Sequence, residues 1–246
     1  ELQTVPHHFI NSHSIQEDVS AADYEKYALT AANRIFNKHD IAIVTGGTGL
    51  YIKAFCEGLD NIPAIDENIR KQVVENYHTH GIGWLQEELQ KRDPLFCEKG
   101  EMQNPQRMMR ALEVIMGTGQ SIFSFRSNIK NERPFRVIKI LLDMPRALLY
   151  ERINQRVDMM ISEGLVAETK ELIPFRSFNA LQTVGYRELF DHFDGKYSLE
   201  TAIALIKQNT RHYAKRQLTW FKKDEEMMIC NPDFGSVVEI IRKKHP

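Results

Sequence analysis

Ile41-Ala42-Ile43-Val44-Thr45-Gly46-Gly47-Thr48-Gly49-Leu50-Tyr51 is the stretch on which the fold turns. Four apolar residues in a row read as a short strand buried on both faces, as parallel strands are. The run ends in glycines, which let backbone N–H groups approach an anion or a flat base closely. Thr48 adds a hydroxyl at that point. Upstream, Ser20-x-x-Asp23 predicts a capping box with Asp in place of the usual Glu. Tyr24, Tyr27, Ala28, Ala31 and Ile35 then recur at helical spacing. A helix leading into a strand that ends in glycines predicts an α/β sheet with its ligands at the strand C-termini. The same glycines also suit a plain strand-to-helix turn. No Gly-Lys-Ser/Thr follows at the required spacing, so the turn is not itself a P-loop.

Residues 63–133 differ in character, with several helical patterns and no strand pattern. Asp66 is placed to cap a helix running to about residue 80, and 84–92 forms a second. Asn104-Pro105 pairs an N-cap with proline at the first helical position, opening a helix to Gly117. Residues 117–134 show little periodicity and read as a loop. This part is expected to be a helical insertion into an α/β core made of 1–62 and 134–246. In the core, 137–142 is a second strand candidate. Helices are expected over 145–163, closed by Gly164, then 166–173, 186–193 and 199–222, the last capped by Ser198.

The 246 residues include 42% hydrophobic and 26% charged, enough apolar content to build a core without staples. Cys56, Cys97 and Cys230 are far apart and show no C-x-x-C spacing, which argues against a disulfide framework or zinc site and fits a reducing, cytoplasmic compartment. No run approaches a membrane span, and no signal segment opens the chain. The chain starts at Glu1 rather than Met, and Glu1-Leu2-Gln3 runs into what reads as mid-domain sequence, so a preceding N-terminal piece is expected. The net charge of −1 announces no nucleic-acid partner, so that case rests on local patches.

Such patches exist. Between Ala202 and Lys223 there are six Lys or Arg and no Asp or Glu, with Lys207, Arg211 and Lys215 on one face and Arg216 adjacent. A one-signed face fits an anionic partner, although Asp224, Glu225 and Glu226 could neutralise its end. Arg152 and Arg156 share a face four residues apart, and a guanidinium fork suits a diphosphate. Asp158, Glu151 and Glu163 could equally pair with them on a solvated face. Gln106, Arg107 and Arg110 stand in the first turns of the Asn104 helix, where the dipole favours phosphate, and Arg70 lies in the same insertion. His7, His8 and His13 have no acidic residue at persuasive ligand spacing, so no metal site is assigned. Trp220 and Phe221 are expected in the core.

The order of these signals is more specific than any one of them. Val5-Pro6-His7-His8, Ser20-x-x-Asp23-Tyr24 and Gly46-Gly47-Thr48-Gly49-Leu50-Tyr51 are followed by Asn104-Pro105-Gln106-Arg107-x-x-Arg110-Ala111-Leu112-Glu113-Val114. Then come Arg152-x-x-x-Arg156-Val157-Asp158, Gln182-Thr183-Val184-Gly185-Tyr186-Arg187-Glu188 and Tyr213-Ala214-Lys215-Arg216-Gln217-Leu218-Thr219-Trp220-Phe221. Together they resemble the tRNA dimethylallyltransferase family over nearly the whole chain.

The resemblance implies a P-loop-NTPase-like parallel-sheet core whose helical insertion grips the tRNA anticodon stem-loop. It implies a tunnel in which an adenosine 3′ of the anticodon flips in from one side and dimethylallyl diphosphate enters from the other. It assigns Thr48 and Arg156 to catalysis, and Arg156 with Arg211 to the diphosphate. Arg70, Gln106, Arg107, Met108, Met109, Arg110 and Gln182, with the segment 177–182, are assigned to the tRNA. Mg²⁺ is expected as cofactor, and the protein is expected to be a cytoplasmic monomer. The family begins with a strand, a P-loop and a segment carrying a general-base Asp, none of which occurs here, and Asn11 stands where Asp is expected. An adenylate isopentenyltransferase acting on free adenine nucleotides is the nearest rival, but it would not need the insertion. A P-loop small-molecule kinase lacks its Walker motif here, and a non-catalytic RNA-binding protein would rest on the basic helix alone.

Overall fold

The computed structural model describes residues 4–127 and 129–244. The chain divides into two units: Gly58–Glu132 forms one, and the described residues on either side of it form the other. The expected boundaries at 62/63 and 133/134 fall close to these.

In the flanking unit, α1 (Ala21–Phe36) starts at the Ser20 capping box. The Asp23 N–H donates to Ser20 Oγ over 3.2 Å, and the Ser20 N–H donates back to the Asp23 carboxylate over 3.0 Å. Hydrogen bonds from Ser20 hold the Asp23 carboxyl below its usual range. Helix α2 (Gly49–Glu57) follows the glycine turn. Strand β1 (Ile140–Leu142) pairs in parallel with β2 (Met228–Cys230), in the register Ile140–Met228 to Leu142–Cys230. Parallel neighbours require a crossover. Here it contains α6 (Arg146–Ser162), α7 (Leu165–Glu171), α8 (Tyr186–Phe193) and α9 (Leu199–Phe221). Helix α10 (Phe234–Lys244) ends the description. The architecture is helix-rich with a small parallel sheet, α/β in class. Val157, Leu165, Leu189, Ala202 and Ile206 form the core under the crossover helices.

Two expectations change. Residues 41–44 form no strand, and Ile43 is 80% exposed. A strand exists through the hydrogen bonds of a neighbour, and among the described residues nothing pairs with this run. Strand β1 is also shorter than the 137–142 predicted for it. Strand β2 and helix α10 were not anticipated.

The N-terminal stretch is tied down by aromatic rings. Phe9 lies 4.9 Å from Tyr24 and 5.2 Å from Tyr27, and Tyr24 stacks on Tyr51 at 4.7 Å. These contacts hold Phe9 at a positive φ of 64°, which is costly for a bulky residue. Asn11 also has a positive φ, 51°, a conformation that Asn and Asp both tolerate. That shared tolerance gives the position a conformational role.

The insertion unit contains α3 (Glu67–Arg92), α4 (Pro94–Lys99) and α5 (Pro105–Thr118). Helix α3 starts at its Asp66 cap and breaks at Gly81, where φ is 74°, so it is two helical segments joined by a kink. Val73, Leu85, Leu89, Phe96, Met108 and Leu112 are among the residues of its own core.

One ion cluster fastens α2, β1 and the β2 approach together. Lys139, 8% exposed, donates to Glu57 and Asp224 at 2.7 Å and pairs with Glu226 at 2.8 Å. Burial alone would lower the Lys139 pKa, but the three carboxylates outweigh it and raise it above the usual lysine value. A raised folded-state pKa means that the stabilisation is full below the ordinary lysine value and is lost only in strong alkali. Lys139→Met is expected to cost about 3 kcal/mol at neutral pH by leaving carboxylates uncompensated, as read by urea unfolding.

Candidate active site and basic helix starts

The glycine turn is shaped by what lies against it. The Thr48 carbonyl accepts the Tyr51 and Ile52 N–H groups at 2.9 and 3.1 Å, making Thr48 the residue that opens α2. Its side chain is exposed and makes no hydrogen bond to the described residues. Helix α9 closes over the turn. Gln217 Nε2 donates to the Gly47 carbonyl over 3.0 Å. A Cβ at Gly47 would stand 1.8 Å from that nitrogen, and one at Gly49 would stand 2.3 Å from the Trp220 indole. The glycines are therefore required by close approach of a helix, not only by the turn. Trp220 is 44% exposed and covers the turn rather than entering the core, which corrects the sequence expectation. Its amphipathic ring makes a cover here because Gly49 presents no side chain to displace it. Next to the turn is a cavity of about 410 Å³, lined by Val44, Gly46, Leu149, Gln217, Leu218 and Phe221 among others.

Helix α6 presents Arg152 and Arg156 to solvent, and neither has an ion-pair partner among the described residues. Of the acidic neighbours considered as partners, Asp158 pairs with Lys207 at 2.6 Å and Glu151 accepts from Gln155. Arg211 donates to Asn154 Oδ1 over 2.8 Å and lies 5.7 Å from the Tyr150 ring centre. Arg156 and Arg211 thus stand on two helices that pack together. On α9, Lys222 pairs with Asp143 at 2.6 Å, while Lys215 and Arg216 stay exposed without carboxylate partners among the described residues. Asp224 and Glu226 do not neutralise this helix, because Lys139 holds them.

In the insertion unit, Asn104 caps α5 by accepting the Arg107 N–H. Gln106, Arg107 and Arg110 are exposed on its first turns, and Arg70 is exposed on α3. Arg107 pairs with Glu101 at 2.6 Å, and Arg110 with Glu113 at 3.1 Å. Lys99, Arg107, Arg110 and Arg126 line one cleft, with Arg126 4.2 Å from the Phe123 ring centre. Met108 is fully buried and Met109 is 7% exposed. Both side chains therefore pack in the unit's core, and helical spacing sends them to the face opposite the arginines. Gln182 donates from Nε2 to the Arg176 carbonyl over 2.5 Å, which turns its amide back onto its own loop.

Among the described residues, three carboxylates converge only at Glu57, Asp224 and Glu226. The Lys139 ammonium already fills that cluster, so these residues do not fit a magnesium site.

Residues 1–224 match the family model described as IPP transferase. The chain belongs to the IPP transferase family. A tRNA dimethylallyltransferase from Christiangramia forsetii is 49% identical over 227 residues, covering 92% of this chain and 75% of the relative. The solved tRNA isopentenylpyrophosphate transferase from Bacillus halodurans is 34% identical with a TM-score of 0.64, covering 98% of this chain and 77% of that one. A eukaryotic dimethylallyltransferase acting on tRNA, 24% identical, shares the fold with a TM-score of 0.72, covering 94% of this chain and 61% of that one. Gln217 and Trp220 stand in sequence as motif residues, but sequence reasoning did not place them at the glycine turn. The signal was present in the pairing of two close-spaced glycines with a distant Gln-x-x-Trp, but nothing local links the two.

Gly49→Ala is expected to displace the Trp220 indole, and a shift of the tryptophan emission maximum reads that displacement. Trp220→Leu in the same chain should recover the thermal stability lost.

Proposed function

We propose that this protein transfers a dimethylallyl group from dimethylallyl diphosphate to N6 of an adenosine in tRNA, releasing diphosphate. The observation that carries the reading is the exposed Thr48 hydroxyl at the start of α2, between the two glycines against which Gln217 and Trp220 of α9 pack, in a chain of this family. The curated relatives bear the name of that activity, and their similarity spans most of this chain.

In the proposed reaction, N6 attacks C1 of the allylic diphosphate. The N–C bond forms, the C–O bond breaks, the N6 proton is lost to a base and diphosphate departs. Thr48 holds the adenine by its hydroxyl, a positioning contribution. Arg156 meets the charge that grows on the leaving diphosphate, an interaction stronger in the transition state than in the ground state. Arg211, steadied by Asn154, binds the same group. The lack of carboxylate partners for Arg156 among the described residues supports this role, because its charge is left for a ligand. Mg²⁺ is proposed as the counter-ion that the diphosphate brings with it.

The α5 start, with Gln106, Arg107 and Arg110, is proposed to receive the phosphates of the anticodon stem-loop, with Arg70 on α3 as a further contact. Gln182 is proposed to act through the loop it braces. The core is proposed to be P-loop-NTPase-like, and the protein a cytoplasmic monomer. No helix among the described residues is long and apolar enough to cross a membrane. An adenylate isopentenyltransferase is disfavoured by the separate helical unit at Gly58–Glu132, which a free-nucleotide enzyme would not need.

The deciding assay offers the full-length protein dimethylallyl diphosphate and Mg²⁺ with unmodified tRNA or AMP, and reads nucleosides by mass spectrometry. A prenyl mass gain on tRNA adenosine alone is expected, and a gain on AMP would overturn the substrate assignment. Arg156→Ala is expected to lower kcat by about a hundredfold, the scale of one lost transition-state donor, with tRNA affinity nearly unchanged. Arg110→Ala should instead weaken tRNA binding and flatten its salt dependence by about one phosphate contact.

A further inference from the structure

The Thr48 backbone is held from both sides, and the two restraints come from different helices. On its C-terminal side, the Thr48 carbonyl is fixed by the Tyr51 and Ile52 N–H groups of α2. On its N-terminal side, the Gly47 carbonyl accepts from Gln217 Nε2. A peptide group is planar, so the plane that carries the Gly47 carbonyl also carries the Thr48 N–H and Cα. Fixing one end of that plane fixes the other. With both flanking planes set, φ and ψ of Thr48 are set, and its β-branched side chain has few χ1 states left. The hydroxyl direction then follows from the backbone.

Among the described residues, no other hydrogen bond holds the Gly47 carbonyl. Gly46 and Gly47 precede Thr48, and glycines have the widest backbone freedom of any residue. A Cβ at Gly46 would meet no atom within 4 Å. Gln217 is not needed to seat α9, which is held by Lys207–Asp158, Arg211–Asn154, Lys222–Asp143 and the Asn209–Glu188 hydrogen bond. Its amide therefore reaches the turn from a helix already anchored elsewhere.

We propose that Gln217 is a positioning residue for the transfer reaction, acting through the Gly47 carbonyl to aim the Thr48 hydroxyl at the target adenine. The proposal rests on the catalytic reading of Thr48 given above. Gln217→Glu keeps the shape but removes the donor and sets an acceptor against an acceptor, and Gln217→Met removes the amide at similar length.

The test is a double-mutant cycle in the full-length protein, measuring kcat, KM for tRNA, KM for dimethylallyl diphosphate and Tm. Each Gln217 variant is expected to lose about tenfold in kcat, within the range that small misplacements cost. Both KM values should stay within about twofold and Tm should fall by no more than a few degrees, since one part-buried hydrogen bond is removed. In a Thr48→Ala background the Gln217 substitutions should have no further effect, because their target is gone. Unchanged kcat in both Gln217 variants overturns the proposal, as does a full multiplicative loss in the Thr48→Ala background. If Thr48→Ala itself retains normal turnover, the catalytic reading of Thr48 fails first and takes the proposal with it. A slow Thr48→Ala enzyme beside normal Gln217 variants overturns the proposal alone.

Discussion

Helix α9 runs so close to the Gly46–Gly49 turn that side-chain carbon is excluded at two positions. At Gly47 the space belongs to the Gln217 amide, and at Gly49 to the Trp220 indole. This approach relates the α2 start to the crossover helices, and hence Thr48 to the arginines of α6 and α9. It also explains two of the three glycines in this four-residue span, those on either side of Thr48. A turn with side chains would push α9 outward and lose both the hydrogen bond and the aromatic cover.

The charge of α9 is distributed with the same economy. Lys207 and Lys222 spend theirs on Asp158 and Asp143, fastening the helix to α6 and to the end of β1. Lys215 and Arg216, between them, are left exposed. Asp224 and Glu226, which follow the helix in sequence, belong instead to Lys139, the residue before β1. Proximity along the chain was a poor guide to pairing here, because the ion cluster is assembled by the sheet.

Much of the helical architecture was legible in the sequence. Helix α5 was announced by Asn104-Pro105, α9 by Ser198, and α1 by the Ser20–Asp23 pair, because caps are local chemistry that needs no tertiary partner. What failed was non-local. The run 41–44 has strand composition but no ladder among the described residues, and β2 is three residues long, too short to leave a period. In the candidate site, Thr48, the arginines and Gln217 were all legible as motif residues, whereas the hydrogen bond that brings Gln217 to the turn closes 170 residues of separation and left no local signal. The burial of Met108 and Met109 was hidden by adjacency: they sit among exposed basic residues in sequence but on the opposite side of the helix.

The break at Gly81 bears on the size of the insertion unit. At about 1.5 Å per residue, an unbroken α3 would be a rod of about 39 Å, with Val73 and Leu89 about 24 Å apart along it. Helix α5, by the same measure, is only about 21 Å long. A straight α3 would therefore outrun its packing partner and leave one apolar end bare. The left-handed glycine folds that length back, so Val73 and Leu89 share one core with Met108 and Leu112. One flexible residue thus lets a single long segment serve as two walls of the same small bundle.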